Sequence, residues 1–261
     1  VRDWDQEYVL ALRSVLGYGR DVEGRGGATK ELTGVIIEAC PPGWLRVEGR
    51  GGSPAFARGE QLYYLAGLEP RKLSVVAPRY DELCRWQHHY PDAYGPRMFR
   101  QLRHVVIELD RHPTSRRAVV SIHDQTDTTN LSRHPDRPVP CTLNLQFLVR
   151  DGELEVLAMM RSCDAWLGLY YDLPAFAFLG RAVGVALGVN LRRVWLHVGS
   201  LHLYARDWDK ATLVKPRHDL VVNPLSHLDL PMSPGDPAAT WNGLVEWARD
   251  EVERWEQEVK S

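Results

Sequence analysis

No run of about 18 apolar residues occurs along this 261-residue chain, so nothing in it reads as a membrane-crossing helix. Nor does it open on the short apolar core of a secretory leader, and the expected setting is the cytoplasm. Charge of one sign is missing too. Thirty-two Lys and Arg face 34 Asp and Glu, a net of -2, which argues against the basic footprint of a duplex nucleic-acid binder. Cysteine is scarce and irregularly spaced, with Cys40, Cys84, Cys141 and Cys163 forming no disulfide framework. Cys84, His88 and His89 make a C-x3-H-H cluster, but no second cysteine pair completes four ligands. An exposed helix face is the simpler reading, and no metal is expected. Without repeats or a long linker, residues 1–261 read as a single domain.

What is present is a succession of short periodic segments. "EGRGGATKEL" (23–32), which carries Arg25, and "VEGRGGSPAFARG" (47–59) read as flexible Gly-rich loops. "EQLYYLAGL" (60–68) reads as a short helix beginning at Glu60, "FRQLRHVVIELDRHP" (99–113) as a longer one, and "RRAVVSIHD" (116–124) as a strand. "TLNLQFLVR" and "ELEVLAMMR" flank Asp151-Gly152, the signature of a β-hairpin. Beyond Pro174 the chain is apolar on nearly all sides, as in a buried helix, with Asp172 placed as its N-cap. Residues 192–207 read as strand, tight turn and polar exit, and 240–261 as an amphipathic helix.

The chemistry concentrates in "RPVPCTLNLQF" (137–147). Pro138 and Pro140 stiffen the approach to Cys141, which opens a strand of alternating polarity. Downstream stand "RSCDAWLG" (161–168) and "GSLHLY" (199–204); upstream stands "SRR" (115–117). Singly these are common; in this order they resemble the thymidylate synthase family, which includes the pyrimidine nucleotide hydroxymethylases. The resemblance runs from about Arg25 to Asp207 and is densest over 138–204.

That resemblance implies an α+β, thymidylate synthase-like fold: a large mixed β-sheet covered by helices, two such sheets packing back to back in a homodimer. It makes Cys141 the thiolate nucleophile at C6 of a pyrimidine nucleoside monophosphate, with Arg161 lowering the thiol pKa. 5,10-Methylenetetrahydrofolate is the implied co-substrate, held by Asp164, Tyr80 and Gly168. Arg25, Arg161 and Ser162 would take the phosphate, joined by Arg116 and Arg117 from the second subunit. His202 and Tyr204, two apart on a strand and so on one side of it, would meet the sugar. Glu60 and Tyr94 would carry acid–base work. The ordinary readings of these residues are a surface glutamate at a helix start, a loop tyrosine, solvated arginines and a packed His–Tyr pair.

Several departures from the family pattern bear on function. Asp172 stands where the synthases carry the asparagine that reads uracil. A carboxyl group accepts from a cytosine amino group, so the expected base is cytosine. Tyr80 replaces a tryptophan, and a charged helix replaces the family's short closing tail. Both favour water over hydride as the last reactant. Thr142 replaces the usual histidine beside the nucleophile. The expectation is therefore 5-hydroxymethylation of dCMP, with CMP possible because one hydroxyl discriminates weakly. The rivals are a thymidylate synthase methylating dUMP, a silent nucleotide- or RNA-binding protein on the same scaffold, and an unrelated α+β domain with Cys141 inert.

Overall fold

The computed structural model describes residues 4–39, 47–78, 80–81, 85, 89–216, 230–231 and 235–260. Cys40, Cys84 and His88 lie outside them, so the C-x3-H-H cluster is not described. Among the described residues there is no grouping of three or more metal-ligating side chains. No described helix is long and apolar enough to cross a membrane.

In chain order the elements begin with helix α1 (Trp4–Tyr18), then strands β1 (Arg20–Gly24), β2 (Gly27–Ala39) and β3 (Val47–Glu48). Helices α2 (Pro54–Ala66), α3 (Leu73–Val76) and α4 (Tyr94–Arg111) follow, then β4 (Val119–Ser121) and α5 (Gln125–Leu131). Next come β5 (Thr142–Arg150), β6 (Glu153–Asp164), α6 (Gly168–Leu187) and β7 (Asn190–Tyr204). A 3-10 turn (Ala205–Asp207), α7 (Trp208–Thr212), β8 (Lys215–Pro216) and α8 (Pro237–Glu258) complete the order.

Six strands form one sheet in the order β1-β2-β7-β6-β5-β4, antiparallel except for the β6–β7 pair, which α6 connects. The mixed α+β architecture is the one the sequence led us to expect. Alternation sorts the strands into two faces. Leu154, Val156, Ala158 and Met160 of β6 and Val194, Leu196 and Val198 of β7 are buried under α6 and α1. Leu157, Met159 and Trp195 lie on the opposite, half-exposed face with Ile36, which is 60% exposed.

Local chemistry explains where the observed elements depart from expectation. The 23–32 segment is a hairpin with Arg25-Gly26 as its whole turn, because the flanking residues pair from Gly24↔Gly27 outward. Within 47–59, Ser53 caps α2 by accepting from Phe56 N, with Pro54 at the first turn, so the helix begins six residues before Glu60. Tyr94 opens α4 instead of lying in a loop. α6 begins at Gly168 and runs through Pro174, so Asp172 is an interior residue and caps nothing. Residues 190–204 are one unbroken strand with no turn at Gly199. There a side chain would meet the Arg161 carbonyl at 2.8 Å; the glycine serves close strand approach. The 151–152 hairpin turn is present, with Asp151 and Gly152 both at positive φ (53° and 77°).

Candidate active site

At one level of the sheet the burial alternation slips by one residue in adjacent strands. Met160 is followed by Cys163 as the next buried residue in β6, Val198 by Leu201 in β7, and β5 shifts register between Thr142 and Asn144. The slip takes Ser162 out of the core alternation, while Arg161, already on the outward parity, lies beside the start of β5, where its amide donates to Cys141 O at 2.8 Å. Its guanidinium takes the carbonyls of Pro140 (2.9 Å) and Val139 (3.1 Å) and lies 3.8 Å from Cys141 Sγ. Ser162 Oγ stands 3.6 Å from the same sulfur. Thus one arginine both pins the proline-stiffened approach and faces the thiol. The guanidinium and the serine hydroxyl pull the Cys141 pKa down, but burial outweighs them and the thiol is left above its ordinary value.

Two raised carboxyl groups belong to this region, Asp172 within electrostatic reach of the thiol and Glu60 within reach of Asp172. Asp172, one turn into α6, is pushed up to about 7, chiefly by burial and further by Asp164, against a Cys163 Sγ–H donated at 3.7 Å. Glu60, inside α2, is buried and pushed up to about 8 by desolvation and by Asp172, with Tyr64 Oη donating to it at 3.2 Å. Tyr64 stacks on Tyr94 at 5.3 Å, and Tyr94 Oη accepts from Thr142 N at 3.0 Å, the amide next to the nucleophile. Gly168 leaves room for this arrangement. A side chain on it would stand 3.1 Å from Asp172 Oδ2.

The ends of β6 and β7 bring in the next group. Asp164 pairs in register with His202, and the His202 and Tyr204 rings meet edge-on at 5.3 Å on one side of the strand, as their spacing requires. The Arg25-Gly26 turn packs on Tyr204 so closely that a side chain at Gly26 would meet the ring at 2.7 Å. Arg25 itself reaches Pro135 O at 3.1 Å. Asp164 Oδ1 accepts from the amides of Trp166 (2.8 Å) and Leu167 (3.1 Å), fixing the turn into α6. Tyr80 lies half-buried against Phe56 and Tyr90. Arg116 and Arg117 stand apart, before edge strand β4, and Arg117 is tied to Glu108 of its own chain at 2.9 Å.

Sequence reasoning missed Arg50. Only 8% exposed, it donates twice to Trp166 O, at 2.7 and 3.1 Å, and its guanidinium lies 3.7 Å from the Tyr170 ring centroid. The 164–168 turn is therefore held at its amides by Asp164 and at a carbonyl by Arg50. The signal was a lone arginine in a Gly-rich segment with aromatics over a hundred residues away, which no local pattern connects. Asp92 was also missed. Its carboxyl is pushed up to about 6 by burial, and its Oδ1 has no hydrogen-bond partner among the described residues.

The thymidylate synthase family model matches residues 76–232. The chain belongs to the thymidylate synthase family. It is 28% identical over 152 residues to a thymidylate synthase of Oenococcus oeni, covering 58% of this chain and 45% of that protein. It is 28% identical over 224 residues to a deoxyuridylate hydroxymethyltransferase of Bacillus phage SP01, covering 78% and 57%. A putative thymidylate synthase of Methanocaldococcus jannaschii is 28% identical over 184 residues, covering 69% and 78%. The chain thus spans about half the length of the first two relatives. Arg25, Arg50 and Glu60 precede the span that matches the family model, and the fold alone brings Glu60 and Arg50 up to the matched residues.

Proposed function

We propose that this thymidylate synthase-family protein transfers a one-carbon unit from 5,10-methylenetetrahydrofolate to C5 of a cytosine nucleotide, dCMP before CMP, leaving a hydroxymethyl group. The observation that carries the reading is the Cys141 thiol between Arg161 and Ser162, with Asp172 and Glu60 both held near neutral pKa. Carboxyl groups that change protonation near pH 7 are suited to moving protons during turnover.

In this account Cys141 gives up its proton and adds to C6, so that C5 becomes nucleophilic. Phosphate binding by Arg161 and Ser162, with Arg25 swinging from Pro135 O, orders the nucleotide; His202 and Tyr204 take the sugar. Asp172 accepts from the exocyclic amino group and shares a proton with the adjacent ring nitrogen. When bound, the folate would supply a carbon at the oxidation level of formaldehyde; C5 bonds to that carbon, tetrahydrofolate departs as its nitrogen–carbon bond breaks, and loss of the C5 proton leaves an exocyclic methylene on C5. Tyr80 and the Asp164–Gly168 turn suit a flat, partly polar ring, since the turn is fixed by Arg50 and Asp164 Oδ1 and presents exposed Leu167. Water then adds to the transferred carbon and passes a proton to Glu60. Cys141 departs as thiolate as the C5=C6 bond re-forms. A second copy of the chain covers the open sheet face around Ile36 and Trp195 and brings Arg116 to the neighbouring phosphate, with Arg117 first releasing Glu108.

One observation favours a second reading: the relative aligned over 78% of this chain is named for deoxyuridylate, a uracil nucleotide. Exchange at C5 separates the two bases without folate. In D2O, reversible thiol addition replaces H5 of the accepted nucleotide by deuterium, followed by NMR. Loss of the H5 signal from dCMP, abolished in Cys141→Ser, is expected; exchange confined to dUMP would put uracil in place of cytosine.

A further inference from the structure

Behind the site lies a buried ion pair that none of the roles above uses. Asp127 on α5 is wholly buried (0% exposed). Its two oxygens accept from both terminal nitrogens of Arg97 on α4, at 2.6 and 2.7 Å, and Oδ2 also accepts from Asp124 N at 3.0 Å. The same guanidinium donates to Ile122 O at 2.6 Å and, through Nη2 and Nε, to Pro91 O at 2.5 and 3.1 Å. One turn along α4, Gln101 closes the assembly, bonding Arg97 O, Ser121 O and Ser121 N within 2.9 Å. All these donors are spent on protein carbonyls and a carboxylate, so the cluster is no ligand site. Nor is stability a sufficient reason for it, because a buried pair's desolvation cancels much of its attraction and an apolar pair often serves as well.

What the pair grips is informative. The Pro91 carbonyl lies three residues before Tyr94, whose hydroxyl holds the Thr142 amide at 3.0 Å, and Thr142 follows Cys141. Tyr94 also stacks on Tyr64, the donor to Glu60. Nucleophile and acid–base group therefore hang from one backbone anchor. Asp92, next to the gripped carbonyl, carries the buried Oδ1 that has no partner among the described residues, so the segment holds a polar atom uncompensated by them.

We propose that Arg97 and Asp127 form a positioning clamp: by fixing the Pro91 carbonyl they keep Tyr94 on the Thr142 amide and so hold the Cys141 thiol against Arg161 and Ser162. The clamp rests on the reading of Cys141 as nucleophile, and its test uses the full chain with a thiol measurement that needs no turnover. Three proteins are compared with the wild type: Arg97→Lys, Asp127→Asn and the apolar pair Arg97→Met with Asp127→Leu. Each is read by melting temperature, by the iodoacetamide alkylation rate of the Cys141 peptide, and by kcat and KM for H5 exchange. The single variants melt lower. The apolar pair regains most of that loss, since no unpaired charge remains. In all three, alkylation slows about fivefold or more and kcat falls about tenfold or more, with KM within about threefold, as expected when placement and not binding is lost. A double variant that reacts at the wild-type rate once its melting temperature has recovered overturns the clamp. Should that double variant not fold, Asp127→Asn decides against Tyr94→Phe. The clamp predicts that the two losses in alkylation do not add; full additivity contradicts it. H5 exchange that survives in Cys141→Ser would sink the functional reading instead, while the alkylation comparison would still judge the clamp.

Discussion

The proposed function makes Cys141 the nucleophile, yet its thiol is held above its ordinary pKa because burial outweighs Arg161 and Ser162. It follows that alkylation of free Cys141 at pH 7 is slow and rises steeply with pH; a rate already flat at pH 7 would show a standing thiolate and contradict the electrostatics. Cys141→Ser should lower kcat about a thousandfold or more, as removal of a covalent nucleophile does, while nucleotide binding by calorimetry persists. Asp172→Asn exchanges an acceptor for a group that can also donate, so the ratio of kcat/KM for cytosine over uracil nucleotides should fall about tenfold or more, roughly 1–3 kcal/mol for a buried hydrogen bond left unmade. An unchanged ratio would remove Asp172 from base recognition. The same carboxyls set a pH dependence of stability. Both are raised by burial, Asp172 from 3.8 to about 7 and Glu60 from 4.5 to about 8. The folded state thus binds more protons than the unfolded one, and their contribution is full below about pH 4 and lost as pH rises through 7 and 8. Glu60→Gln should flatten the fall in melting temperature between pH 5.5 and 8.5; a slope identical to wild type would show that Glu60 is not the buried acid described here.

At the scale of elements, two glycines separate fold from site. Gly152→Ala strains a turn at φ 77° and should cost about 1–2 kcal/mol in chemical denaturation, without affecting turnover. Gly199→Ala forces a methyl within 2.8 Å of the Arg161 carbonyl, backbone that cannot swing aside. Its cost, about 1–3 kcal/mol for overpacking, should come with lost activity because Arg161 shifts. Equal activity in the two variants would contradict that difference. This contrast also marks what the sequence could tell. Asp151-Gly152 between alternating runs is local chemistry, and the β5–β6 hairpin was legible for that reason. Gly199 resembled a turn because a glycine's reason for being can lie on another strand; only the β6–β7 pairing shows it. Glu60 and Tyr94 were singled out through the resemblance alone, and their places within α2 and at the start of α4 were not read from the sequence. The Ser53-Pro54 cap and the Ala93–Tyr94 entry govern those helix starts, and both lie outside the apolar periodicity. Asp172 as a cap of Pro174 was a sound local reading, overridden because α6 starts at Gly168 and carries the proline through. Arg50 and Arg97 act on carbonyls elsewhere in the chain and Asp127 accepts from Arg97 thirty residues away, and no window of sequence displays such partners.

At the scale of the whole molecule, helices cover one face of the sheet, while the other presents Ile36 (60% exposed), Val119 (41% exposed), Leu157, Met159 and Trp195. Sedimentation should show a two-fold dimer at micromolar concentration. Ile36→Glu on that face should yield monomers with sharply reduced turnover, since each site would lose its neighbour's Arg116. A fully active wild-type monomer would contradict the shared site.

The central claim is that Cys141, Asp172 and Glu60 together deliver a hydroxymethyl group to a cytosine nucleotide. The most direct measurement incubates the protein with 5,10-methylenetetrahydrofolate and dCMP, CMP or dUMP in turn, reading product mass and the absorbance of dihydrofolate. The account predicts a hydroxymethylated cytosine nucleotide, dCMP preferred, with no dihydrofolate formed. A methylated product from dUMP, formed together with dihydrofolate, would contradict it.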